Sequence, residues 1–155
     1  MVRLKQRYIL FEVLYPPTDG EDFQTYSESP TKALLSLHQE SPPQFTPKTI
    51  TNTIKSSIQE LYGDYGSSFA VQLNMKYFNN KTSTGILRCT KTNFHFVTAT
   101  LPLITTIEGR KVIVNCIHVS GTIKKCEDYA IKRNLQFMRR VRFLEKSENG
   151  TIITI

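Results

Sequence analysis

The chain has 155 residues, a formal net charge of +7, and 39% hydrophobic and 21% charged residues. That length and balance describe one folded domain with a real core and exclude wholesale disorder. No run approaches the roughly 18–20 apolar residues that would span a bilayer, and the surplus of cations favours a polyanionic partner. The plainer alternative is a basic domain whose charge serves only solubility. Three cysteines, Cys89, Cys116 and Cys126, are too few for a disulfide framework and point to a reducing compartment. Glu12 and Pro16-Pro17 interrupt the first apolar stretch, which argues against a signal peptide.

In chain order, Arg3, Lys5 and Arg7 form a basic arm over residues 1–7, and Tyr8 to Tyr15 reads as the first strand. Pro16-Pro17 ends it. Residues 16–45 form a long excursion, expected at the surface, with a short helix opened by Ser29-Pro30. Thr46-Pro47 repeats that signal, and Ile50, Ile54, Ile58 and Leu61 then mark one face of a second helix, which Gly63-Asp64-Tyr65-Gly66 is expected to end. Phe69, Val71, Leu73, Met75 and Tyr77 alternate with less hydrophobic neighbours and predict a half-buried strand. A turn at Asn79-Asn80-Lys81-Thr82 leads to a third strand over about 83–90.

Val97, Leu101 and Ile104 place a helix between Asn93 and Ile107, kinked or shortened by Pro102. A fourth strand over 111–119 and a basic helix after Ser120-Gly121-Thr122 follow. The order is the split βαβ pattern of an α+β, RRM-like or ferredoxin-like sandwich. It has a four-stranded antiparallel sheet in a single domain, with a basic helix and tail appended over 121–155. In the first strand Ile9, Phe11 and Val13 supply the covered face. Tyr8, Leu10 and Leu14 lie on the opposite face, interrupted only by Glu12. An apolar outer face needs a cover, either the chain's own tail or a partner protein.

No catalytic constellation stands out. His38, His95 and His118 are scattered without metal spacing, and His118 reads as packed within a strand. Asp19, Glu21 and Asp22 could hold Mg²⁺, but a solvated acidic loop explains them as well. RNA binding has more support. Between residues 121 and 142, Lys124, Lys125, Lys132, Arg133, Arg139, Arg140 and Arg142 face only Glu127 and Asp128. A helix N-terminus offers free N–H groups and a positive dipole end, so Ser120-Gly121-Thr122 before Lys124-Lys125 is a phosphate seat. The competing reading is an ordinary capped helix with a solvated face. No strand carries the aromatic stacking signature of messenger-binding RRMs, which leaves backbone charge and shape as the mode of binding.

Three stretches, "MVRLKQRYILFEVLYPPTD", "LYGDYGSSFAVQLNMKYFNNKTSTGILRC" and "VSGTIKKCEDYAIKRN", together resemble the small protein subunit of eukaryotic ribonuclease P and ribonuclease MRP, the Pop-five family. The resemblance implies an RRM-like sandwich inside a ribonucleoprotein endonuclease of the nucleus and nucleolus. There the RNA with Mg²⁺ removes the 5′ leader of precursor tRNA, and the MRP particle processes precursor ribosomal RNA. The protein would brace the catalytic RNA core, beside precursor tRNA and other subunits, and pair with a TIM-barrel-like subunit. It would bind no cofactor and no membrane itself.

On that reading Arg3, Lys5, Arg7, Ser120, Gly121, Thr122, Lys124, Lys125, Lys132 and Arg133 are the candidates for RNA contact. Tyr8, Leu10 and Leu14 are the candidates for the protein interface. A basic protein-interaction module without a direct RNA role remains the alternative.

Overall fold

The computed structural model describes residues 5–17 and 29–149. Arg3, the acidic residues Asp19, Glu21 and Asp22, and the last six residues of the tail lie outside that set. Strand β1 spans Gln6–Leu14, α1 Pro30–Leu37, α2 Pro47–Ala70, β2 Asn74–Asn79 and β3 Thr84–Thr90. Helix α3 (Phe94–Thr100) runs into a 3₁₀ turn at Leu101–Leu103. A two-stranded ribbon, β4 (Thr106–Ile107) with β5 (Arg110–Lys111), leads to β6 (Ile113–Ser120) and α4 (Ile123–Glu148).

The sheet order is β2-β3-β1-β6, and every neighbouring pair is antiparallel. This is the expected split arrangement, with β3 inserted between β1 and β2. Ile9, Phe11 and Val13 face the main core with Ile50, Ile54 and Ile58 of α2 and Val97 of α3. Phe11 needs room, and Gly85 provides it: a Cβ there would lie 2.7 Å from the Phe11 ring.

Both proline-opened helices start where the sequence places them. The Ser29 side chain accepts from the Lys32 amide, and that of Thr46 from the Thr49 amide. Pro102 shortens α3 and tightens its end into the 3₁₀ turn.

Two expectations need correction. Gly63 leaves the helical path (φ 63°, ψ −143°) and divides α2 at a kink where the helix was expected to end, but a second helical segment follows at once and runs to Ala70 in place of the expected start of a strand. Gly66 makes the continuation close-packed, since a Cβ there would sit 2.7 Å from the Ile58 carbonyl. Phe69 is therefore helical, and the strand begins only at Asn74. In the alternation over 69–73, Phe69 at the helix end and Leu73 in the turn reach the core, whereas Val71 between them is exposed.

The excursion is also less superficial than expected, because Thr31, Ser41 and Phe45 are buried. A hydroxyl chain ties it to the sheet. Tyr15 Oη donates to Ser41 Oγ at 2.7 Å, Ser41 to Ser83 Oγ at 2.8 Å, and Ser83 to the Gln39 carbonyl at 2.7 Å.

The middle of the sheet's outer face is covered by the chain's own helix, while Tyr77 and Ile113 at its edges stay exposed. Leu10, Ile86 and Cys126 form a second small core, with Tyr8, Ile117, Ile123 and Ala130 packed on it. A bulge in β6 between the partners of Leu10 and Phe11 shifts the register there. Glu12, the one carboxylate on this face, is only 5% exposed.

Candidate nucleic-acid interface

Helix α4 begins where β6 leaves the sheet beside the start of β1, since Tyr8 pairs with Ser120. Thr122 is the N-cap. Its hydroxyl accepts from the Lys125 amide at 3.3 Å, and Ser120 Oγ accepts from the Thr122 amide at 3.4 Å. Gly121 is exposed between them. The Arg7 guanidinium lies at this turn, 3.5 Å from where a Gly121 Cβ would stand, and it donates to the Gln6 carbonyl at 2.9 Å. The structure thus brings Arg7, Ser120, Gly121, Thr122, Lys124 and Lys125 to one end of the molecule. Lys124 and Lys125 are exposed in the first turn of α4.

Arg7 is a strand residue, opposite Cys89 in the ladder between β1 and β3. Its cation avoids the core by reaching to the end of the sheet, as the cost of burying an unpaired charge requires. Lys5 is exposed just before β1, and its carbonyl accepts from the Lys91 amide at 2.9 Å. A cationic N-terminal strand end and a helix N-terminus together form a surface suited to phosphate by charge and dipole.

Farther along α4 the cations divide. Lys132 is exposed. Arg133 points inward instead, and its Nη2 donates to Glu12 Oε1 at 2.8 Å. Asn115 Nδ2 donates to the same oxygen at 3.0 Å. Arg133, expected at RNA, is thus the counter-ion of a buried carboxylate while its own side chain stays 41% exposed. Spacing could not have revealed this, because Glu12 and Arg133 are 121 residues apart.

The expected protein interface also changes. Leu10 is 1% exposed under α4, Tyr8 packs on the same small core, and Leu14 is half-buried opposite Ile113. With α4 docked, Leu10 offers no surface to another chain. His118 stacks on Tyr129 of α4 with 4.4 Å between ring centroids. His38 of the segment after α1 meets Phe137 at the same separation. A cleft of about 470 Å³ remains between α1, α4 and the sheet, with the Glu12–Arg133 pair in its wall.

Among the described residues no three His, Cys, Asp or Glu side chains gather as a metal site. No helix there is long and apolar enough to cross a membrane.

The model of the Rpp14/Pop5 family matches residues 7–131. The Saccharomyces cerevisiae protein named ribonuclease P/MRP protein subunit POP5 is 44% identical over 151 residues, covering 95% of this chain and 85% of that protein. Its Schizosaccharomyces pombe counterpart is 37% identical, covering 94% and 97%. Ribonuclease P protein component 2 of Methanocaldococcus jannaschii is 30% identical, covering 81% and 72%. With a match across the whole sheet and the first turns of α4, the chain belongs to the Rpp14/Pop5 family.

Proposed function

We propose that this chain is a protein subunit of ribonuclease P and ribonuclease MRP, and that it holds RNA phosphate at the start of α4. The observation that carries the reading is the convergence of Arg7 with Gly121, Lys124 and Lys125 at a helix N-terminus, in a member of this family. These groups bind and orient a backbone. On this reading the cleavage of the precursor-tRNA leader and of precursor ribosomal RNA is the work of the RNA with its Mg²⁺. The basic end braces that RNA core, next to a TIM-barrel-like subunit, in the nucleus and nucleolus.

The test is to purify the tagged protein from its own cells and sequence the RNA that accompanies it. The expected result is one or two structured RNAs, together with precursor-tRNA cleavage that disappears after RNA digestion. Recovery of proteins without a discrete RNA would overturn the reading in favour of a protein-interaction module.

A further inference from the structure

Helix α4 has a second face that neither the sheet nor the RNA seat uses. Cys126, Ala130, Arg133 and Phe137 turn inward to the sheet and to His38. About a third of a turn away, Ile131, Leu135 and Met138 recur at spacings of four and three, so they form one row along the helix. They are 60%, 51% and 53% exposed. Three large aliphatic side chains in one row are more than scattered surface apolar residues, and this spacing is that of helix-in-groove recognition.

Next to the row runs a cationic one. Lys132 and Arg139 stand seven residues apart, one position beyond the apolar seam, where a coiled coil sets its flanking charges. Both are exposed.

We propose that the seam Ile131–Leu135–Met138 seats an amphipathic helix of another protein whose flank carries carboxylates opposite Lys132 and Arg139. A second copy of this chain fits poorly. Antiparallel pairing sets the cationic row against itself, and parallel pairing, although it brings Glu127 to Lys132, sets Asp128 and Arg142 at the two ends of the seam each against its own copy. RNA fits poorly too, because phosphate has no use for aliphatic side chains and the seam has no aromatic ring on which a base could stack. The proposal deepens the subunit reading by naming a surface for a protein partner, in place of the sheet face that α4 occupies.

The experiment places the photoreactive residue p-benzoylphenylalanine at Leu135 of the full chain, in the particle purified from cells. After irradiation, the crosslinked fragments are identified by mass spectrometry. The expected adduct is a segment of a different protein with apolar residues at helical spacing and acidic residues beside them. An adduct on RNA, an adduct on a second copy, or no adduct overturns the proposal.

Reversing both flanking charges, Lys132→Glu with Arg139→Glu, is expected to lower adduct yield by about tenfold while helix content by circular dichroism stays unchanged. An unchanged yield overturns the assigned partner charge. RNA recovered in the same purification is scored separately, so loss of the ribonucleoprotein reading is distinguished from loss of this one.

Discussion

Arg133 in the middle of α4 donates to Glu12 in the central strand at 2.8 Å, joining the appended helix to the sheet across 121 residues of sequence. The Glu12 side chain is 7% exposed and the Arg133 side chain 41%. Removing the guanidinium leaves a buried carboxylate with Asn115 as its one remaining partner among the described residues. We expect Arg133→Met to destabilise the chain by about 1–3 kcal/mol, less than a fully buried pair because water screens the Arg133 end. Glu12→Leu combined with Arg133→Met is expected to lie within ~1 kcal/mol of the parent, since no unpaired charge remains. Urea unfolding of the two single variants and the double variant measures this; a silent Arg133→Met would refute the anchoring role.

The far end of α4 has its own polar tie. The Glu148 carboxylate accepts from the Thr31 amide at 3.1 Å and from Ser29 Oγ at 2.9 Å, at the N-terminus of α1. The Thr31 N–H, and after it the Ser29 hydroxyl, hold Glu148 below the ordinary carboxylate value of 4.5. A depressed folded-state value means that this tie is present above the unfolded pKa and is lost as pH falls through the folded one. Protection of the Thr31 amide, its exchange rate referred to the intrinsic rate at each pH, is expected to fall on acidification through that range, and Glu148→Gln should lower it already at neutral pH. Protection independent of both changes would exclude the contact in solution.

The phosphate seat predicts a salt dependence. For every phosphate that the protein no longer neutralises, the slope of log affinity against log salt should fall by about 0.7–0.9. Neutralising Arg7, Lys124 and Lys125 is expected to flatten the slope for the RNA recovered with the protein. Arg133→Met should leave it nearly unchanged, because that charge faces Glu12. Filter binding at several salt concentrations reads both, and a slope insensitive to the triple variant would remove the seat.

The cysteines predict an alkaline limit. Burial raises the Cys89 thiol from 9.0 to about 11. Cys126, fully buried, is also raised, chiefly by desolvation. A raised folded-state value means that stability is held below the unfolded pKa near 9 and is lost as pH climbs towards 11 for Cys89. At pH 8.5 iodoacetamide should modify Cys89 and Cys126 only as fast as the chain opens. Alkylation at the rate of free cysteine, with the fold intact by circular dichroism, would contradict their burial.

The local grammar of the chain was readable where local chemistry decides. Ser29-Pro30 and Thr46-Pro47 start helices because the cap hydroxyl and the fixed proline φ act within one turn. Ile50, Ile54 and Ile58 fall on one helical face, and the strand order gives the split sandwich without long-range information. Residues 69–73 misled because Phe69 and Leu73 reach the core from a helix end and a turn, with exposed Val71 completing the alternation by chance. The ribbon of β4 and β5 was missed because two-residue strands carry no periodic signal.

The sequence by itself determined the domain's class, its basic character, the cap and glycine signals before α4 and, through three long distinctive stretches, its family. Only the tertiary structure decided where each cation stands. Arg7 and Lys124 stand at one exposed end, whereas Arg133, equally basic in sequence, neutralises Glu12. It also decided that the middle of the second face of the sheet is covered by α4. The physical reason is that a charge's role depends on what the fold places within a few ångströms of it. Residues 121 positions apart share no local pattern that would reveal that distance.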